Sequence, residues 1–339
     1  MLDSAPRRLT YSRDALADPR DALVSVLPHS VPASGLPVGT IERELACGAT
    51  VELAPRQIES AGCLTDHLPA GTSVYVPFTP GATRHDTVAA CQRLRDQGMH
   101  AVPHLAARSL AGPAELDDWL GALADVGVAG VMLVAGDRRR PAGPYRDTLD
   151  VLESGKLEEH GIDRLGVTAY PEGHPVATTA DLEAAFAHKA AYAAATGARM
   201  WIVTQFVFDP RPAIALLARL RSQGCTLPVR IGVAGPARPR TLLEFAVRCG
   251  VGTSVKMLRR QPSVTRLLNN WTPDGLLSAL ARHRADSVET SLAGIHVFTF
   301  GGLAKTSGWL QGRRGTQAEP AAADTADVVD FPTADRASR

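Results

Sequence analysis

The 339-residue chain has no run approaching the ~20 uninterrupted apolar residues that a membrane span requires. Its start, MLDSAPRRLTYSRDALADPRD, lacks the apolar stretch of a secretory signal, so an unexported protein is expected. Neither sign of charge dominates: 36 Lys and Arg stand against 35 Asp and Glu. That balance offers no broad electrostatic footprint for nucleic acid or an anionic membrane surface. The five cysteines, Cys47, Cys63, Cys91, Cys225 and Cys249, are widely spaced, odd in number and free of any C-x-x-C pair, which points to a reduced, cytoplasmic setting. No H-E-x-x-H or ligand-spaced Cys/His cluster is present, so no metal site is expected, and no G-x-S-x-G elbow supports a serine nucleophile. Internal repeats are absent as well. What is present is ordinary globular material, 45% hydrophobic and 21% charged, enough for a sizeable core and best matched to a small-molecule partner.

Short β-rich runs alternate with longer Ala- and Leu-rich segments, the pattern of parallel strands joined by helical crossovers. Eight strands are predicted: Ala49–Leu53, Ser73–Pro77, His100–His104, Gly130–Ala135, Arg164–Ala169, Met200–Gln205, Pro228–Val233 and Gly294–Phe300. Helices are predicted over Asp86–Gln97, Pro113–Asp125, Asp181–Thr196, Pro210–Ser222 and Pro239–Cys249. Two extra helices, Ser263–Asn270 and Thr272–Ala285, precede the last strand. An α/β fold follows, a (β/α)₈ TIM barrel with extra helices before its final strand. An open doubly wound sheet shares the alternation, but no G-x-G-x-x-G follows the first strand. The expected organisation is an N-terminal extension over residues 1–22, one barrel over 23–311 and a polar tail over 312–339. The tail's composition buries little surface, so disorder is expected there, with truncation after Gln311 tolerated.

In such a barrel the chemistry gathers at the carboxyl ends of the strands. Burial disfavours the charged form of a carboxylate, which makes Glu52, in a strand otherwise of Val, Leu and Ala, a candidate general acid; an exposed or salt-bridged strand Glu is the plainer reading. Gly136-Asp137 offers close backbone approach plus a negative charge able to anchor a heterocycle, or a simple turn. Arg138, Arg139 and Arg140 follow, either for phosphate groups or as a solvated charge run. The proline-bracketed loop Ala169–Pro175 carries Tyr170, Glu172 and His174, more polar chemistry than a plain connection needs. His104 in Val-Pro-His-Leu and Gln205 in Val-Thr-Gln-Phe complete the set of polar residues ending apolar runs.

Taken in order, Val-Pro-His-Leu at His104, Ala-Gly-Asp at Asp137, Ala-Tyr-Pro-Glu-Gly-His-Pro from Ala169 and Thr-Gln-Phe-Val-Phe-Asp from Thr204 resemble the catalytic barrel of methylenetetrahydrofolate reductases, over roughly Val24 to Leu310. The resemblance implies a noncovalent FAD, reduced by NADH or NADPH, that passes hydride to the methylene carbon of a tetrahydrofolate derivative in one-carbon metabolism and methionine biosynthesis. It further implies Glu52 as the general acid, Asp137 against the pterin, Gln205 hydrogen-bonded to it, and Phe245 packed on nicotinamide or aminobenzoate, or else a core Phe. For FAD it points to His104, Gly136, Asp137, Tyr145, Ala169, Tyr170 and His174, with Lys189 as a phosphate partner. The chain departs from the family pattern at Pro77, Thr241 and Gly302, where the family commonly has threonine, glutamine and arginine. Arg238, Arg240 or Lys305 could replace that arginine. The same residues would serve the oxidative direction, methyl to methylene, and a non-catalytic folate- or flavin-binding barrel is the alternative from another class. Self-association is left open.

Overall fold

A computed structural model describes residues 31–32, 35–79, 81–174, 176–249, 251, 271–287 and 289–315. Eight parallel strands close into a barrel: β1 Thr50–Glu52, β2 Ser73–Val76, β3 His100–Ala106, β4 Gly130–Val134, β5 Arg164–Ala169, β6 Arg199–Val207, β7 Val229–Ala234 and β8 Leu292–Phe298. Each strand pairs with its successor, and β8 closes on β1 with His296 opposite Thr50 and Phe298 opposite Glu52. The helices are α1 Val38–Cys47, α2 Pro55–Ser60, α3 Arg84–Asp96, α4 Pro113–Asp125, α5 Thr148–Glu153, α6 Lys156–Glu159, α7 Thr179–Thr196, α8 Pro210–Ser222, α9 Pro239–Arg248, α10 Asp274–Asp286 and α11 Leu303–Arg314. The expected (β/α)₈ barrel is thus what the chain forms. A two-residue antiparallel pair, Val31–Pro32 with Glu289–Thr290, sits beside it.

The period-2 alternation of the strands sorts residues between two cores. Val51, Val74, Val76, Leu105, Val131, Leu133, Leu165, Val167 and Ile295 point outward into the main core under the helices. Tyr75, Val102, Met132 and Val203 point inward and fill the barrel, with Val134 and Trp201 packed on them. A third cluster, around Phe206, Phe208, Ala234, Leu242 and Ala246, closes the sector between β6, β7 and α9.

Helix starts differ from expectation for one local reason. Asp86 and Asp181 are the third residues of capping boxes, not first residues: Thr83 Oγ1 accepts from Asp86 N, and Thr178 Oγ1 from Asp181 N, each at 3.2 Å. Both helices therefore begin two residues earlier than predicted. Pro113 and Pro210 open α4 and α8 as predicted. Of the two extra helices, α10 is present as Asp274–Asp286, while Ser263–Asn270 lies outside the described residues. The final helix runs to Arg314, past the expected tail boundary. Arg313 pairs with Asp274 at 2.9 Å and Arg314 Nε donates to Ala46 O at 3.1 Å, tying α11 to α10 and α1.

Candidate active site

Glu52 ends β1, and its neighbours in the closed barrel come from β3 and β8. Its Oε2 lies 3.6 Å from His104 Nε2 and 3.8 Å from His296 Nε2. His296 is fully buried, and its Nδ1 shares a 2.8 Å hydrogen bond with Thr50 Oγ1. The Tyr75 ring stands edge-on to both imidazoles, at centroid distances of 6.4 Å from His104 and 4.5 Å from His296. Tyr75 in turn accepts a 2.7 Å hydrogen bond from Trp201 Nε1, and burial pushes its phenol up to about 12, so it stays protonated at neutral pH. Burial holds the His104 imidazole below its ordinary value; Glu52 pulls the other way and His296 adds to the depression. Burial therefore outweighs the carboxylate. A neutral His104 stands 3.6 Å from Glu52 without forming a fixed ion pair.

Strand β3 runs two residues beyond its predicted end, so His104 lies inside the strand on its inward face. Strand β4 ends at Val134, and Gly136 follows at φ +87°, a left-handed conformation; a Cβ there would stand 3.3 Å from Ala106 Cβ. This tight passage sends Asp137 out beside Tyr170, whose hydroxyl burial pushes up, a hydrogen bond with Thr168 opposing and the Asp137 charge adding to the rise. Tyr170 meets the His174 ring edge-on at 4.6 Å, and His174 Nδ1 accepts from Ala177 N at 2.9 Å, fixing the loop. Ala169 is buried at the end of β5.

Gln205 owes its placement to an irregularity in β6, where the pairing with β7 shifts register between Val203 and Phe206. Gly232 N donates to Thr204 Oγ1 at 2.8 Å, and a Cβ on Gly232 would lie 2.3 Å from Thr204 O, so only glycine fits opposite this bulge. Gln205 Oε1 accepts from Phe206 N at 3.0 Å. The side chain joins Tyr170, Gly173, Cys249 and Val251 around a shallow hollow. Burial raises the Cys249 thiol, and the charges of Glu52 and Asp137 add to that rise, which places both carboxylates in electrostatic reach of one point.

The model of the family Methylenetetrahydrofolate reductase matches residues 54–297, most of the chain. The chain belongs to the methylenetetrahydrofolate reductase family. It is therefore of the folate-linked one-carbon reductase type. Glu52 and the end of β8 fall just outside the matched span, so the family match itself does not reach the Glu52 carboxylate. Among solved structures, the chain is similar to a Burkholderia cenocepacia J2315 protein provisionally assigned as a phosphonomutase, at 16% identity and TM-score 0.42, covering 78% of this chain and 92% of that one. It is also similar to the carboxyl transferase domain of Rhizobium etli pyruvate carboxylase, determined with 3-bromopyruvate, at 11% identity and TM-score 0.43, covering 84% of this chain and 46% of that one. Neither likeness bears on the chemistry.

Within this methylenetetrahydrofolate reductase barrel the residues assigned from the family pattern divide into two groups. Glu52, His104, Asp137, Tyr170, His174 and Gln205 stand at or near the carboxyl ends of β1, β3, β4, β5 and β6. Tyr145 instead lines an outer groove with Pro113, Pro144, Asp150, Glu153 and Lys156. Lys189 is buried in α7, its ammonium 5.4 Å from the Phe186 ring centroid and attracted by Asp147, which caps α5. Phe245, partly buried, stacks on Phe300 at 4.2 Å, part of an aromatic group with Phe206 and Phe298. The family arginine is replaced where the backbone is crowded: a Cβ on Gly301 would sit 1.9 Å from Pro236 O, and Gly302 has φ +94°. Arg240 is paired with Glu244 at 3.0 Å. Sequence reasoning missed His296, Tyr75 and Trp201. The available signal was the alternation Gly294, His296, Phe298, which puts a histidine on the same barrel face as Thr50 and Glu52. Among the described residues no group of His, Cys, Asp and Glu is arranged to hold a metal ion, and no helix is long and apolar enough to cross a membrane.

Proposed function

We propose that this chain reduces 5,10-methylenetetrahydrofolate to 5-methyltetrahydrofolate, using NADH or NADPH and a noncovalent FAD seated across the ends of β3, β4 and β5. The observation that carries the reading is the Glu52 carboxylate held between two imidazoles at the barrel end, 3.6 Å and 3.8 Å away, inside a barrel of this family. The residues present fit a flavin. Gly136 lets the backbone approach a flat ring, Tyr170 and His174 form an aromatic wall, and Asp137 and Arg108 bring one charge of each sign, Arg108 acting electrostatically on His174. When bound, FAD would supply the hydride relay between nicotinamide and folate.

The chain's own part is proton placement and orientation. Glu52 gives a proton to the folate nitrogen that leaves the methylene bridge, opening it to an electrophilic iminium. His104, which burial keeps neutral, and His296 flank the carboxyl, and Thr50 orients the His296 ring from below. Asp137 and the Nε2 side of Gln205, whose Oε1 is engaged by Phe206 N, offer an acceptor and a donor to the pterin edge. The test separates the two halves of the reaction under anaerobic conditions. Glu52→Gln is expected to leave reduction of added FAD by NADH or NADPH near its original rate and to slow reoxidation by methylenetetrahydrofolate by roughly 100- to 10,000-fold. An equal loss in both halves refutes the assignment of Glu52.

A further inference from the structure

The barrel interior beside Glu52 holds a pair of side chains that the proposed chemistry does not use. Tyr75 comes from β2 and Trp201 from β6, strands four places apart around the closed ring of eight and so facing each other across its full width. Trp201 Nε1 donates to Tyr75 Oη at 2.7 Å, a brace between opposite walls. Room for it is reserved on β5: a Cβ on Gly166 would meet Trp201 Cε2 at 3.0 Å and Met132 Sδ at 2.5 Å, so only glycine there leaves space for the indole. The Tyr75 ring is buried and packs with Val102, Met132 and Val203.

With its hydroxyl held, the Tyr75 ring faces two ways. On one side it stands edge-on to His296 at 4.5 Å and to His104 at 6.4 Å, both within the range of favourable aromatic edge contacts, and these are the two imidazoles beside the Glu52 carboxylate. On the other side it lines, with Thr50, Val102 and Trp201, a cavity of about 150 Å³ among the first residues of β2 to β5, with room for several waters. Glu52, His104 and His296 do not line that cavity. The ring is therefore part of the wall between the cavity and the histidines. An imidazole turns about its Cβ–Cγ bond over a broad, shallow range, so its orientation is set by what packs against it.

We infer that Tyr75 is a positioning residue for Glu52: braced by Trp201, its ring holds the His104 and His296 imidazoles beside the carboxylate and walls them off from the amino-terminal cavity. Its effect on rate rests on the reading of Glu52 as proton donor; its effect on the histidines does not. A side chain without a ring at position 75 opens the cavity onto both imidazoles, which rehydrate and lose their fixed orientation. A catalytic group works only when its supporting shell holds it within about 0.5 Å of the productive place. Proton transfer to the folate nitrogen then slows, while hydride transfer from nicotinamide, which needs no proton from Glu52, does not.

Two readouts on the full chain test this role. In protein carrying isotope-labelled histidine, NMR follows the titration of His104, identified as the signal missing from His104→Gln. The groups facing that imidazole are Glu52 from β1, the Tyr75 ring from β2, Met132 from β4 and His296 from β8. Burial lowers its proton affinity more than Glu52 raises it, so in Tyr75→Leu, where water enters and Glu52 remains, the midpoint is expected to rise; Tyr75→Phe keeps the ring and should leave it in place. In the anaerobic half-reactions, Tyr75→Leu is expected to slow flavin reoxidation by methylenetetrahydrofolate by roughly tenfold or more and flavin reduction by NADH or NADPH by less than about twofold, with Tyr75→Phe restoring the folate half to within about threefold of wild type. An unchanged His104 titration or an unchanged folate half in Tyr75→Leu, an equal loss in both halves, or a Tyr75→Phe as slow as Tyr75→Leu overturns the inference. If Tyr75→Leu fails to fold, Tyr75→Met takes its place as a longer side chain without a ring. Glu52→Gln run beside them separates the two readings: if it loses both halves equally, or if no flavin turns over in wild type, the assignment of Glu52 fails and the His104 titration alone decides what the Tyr75 ring does.

Discussion

Lys189 provides the most quantitative prediction. Its ammonium is buried in α7, and burial pushes it from the ordinary 10.5 down to about 8, with the Asp147 charge opposing. At roughly 1.4 kcal/mol per pH unit, holding that charge in the folded state below pH 8 costs about 3 kcal/mol relative to the unfolded chain. The sign follows from proton binding. Between about pH 8 and 10.5 the unfolded lysine holds more protons than the folded one, so wild-type stability from this residue rises with pH across that window and is lowest below it. Lys189→Met keeps the length and apolar stem while removing the charge. It also forfeits the contact with the Phe186 ring, worth about 0.5–2 kcal/mol. Net stabilisation at pH 7 of about 1–3 kcal/mol is therefore expected. Urea denaturation of both proteins at pH 7 and near pH 10 measures it, and the gap should close at the higher pH. A variant less stable than wild type at pH 7, or a gap independent of pH, refutes the reasoning and means that the ammonium is engaged favourably. A phosphate seated beside Lys189 would offset the cost of its charge, so added FAD should stabilise wild type more than Lys189→Met if this residue is its phosphate partner.

Other expectations follow from the same structure. His104 is held below its ordinary value, so its contribution to stability is complete above about pH 6.5 and is lost as pH falls below that value, where the unfolded chain binds the extra proton; His104→Gln should flatten the acid limb of a stability–pH profile, and an unchanged slope counts against a buried neutral imidazole. Gly301→Ala places a methyl 1.9 Å from Pro236 O, so overpacking of roughly 1–3 kcal/mol is expected as a lowered Tm, and an unchanged Tm would show that the β7 and β8 loops move freely apart. A chain ending at Gln311 loses the Arg313–Asp274 pair and the Arg314–Ala46 hydrogen bond. It should melt below a chain ending at Gly315, and equal melting would show that the last turn of α11 adds nothing.

Much of the barrel could be read from the sequence because its signals are local. Apolar runs such as Gly130 to Val134 and Arg164 to Ala169 mark strands, and Pro113 and Pro210 mark helix starts, through the chain's own conformational preferences. The polar residues at strand ends were legible for the same reason: Glu52, Asp137, Tyr170 and Gln205 each interrupt an apolar pattern. The short helices α2, α5 and α6 left no such trace, since six residues or fewer give too little periodicity. What only the tertiary structure decided is who faces whom. Closing β8 on β1 brings His296 to Thr50 and Glu52 across nearly 250 residues of chain, and it sets Trp201 against Tyr75 from the opposite wall. The same closure places Tyr145 beside Pro144 and Lys156 and stacks Phe245 on Phe300. Strand and helix propensity act within a few residues, whereas electrostatic environment and burial depend on neighbours that only barrel closure supplies.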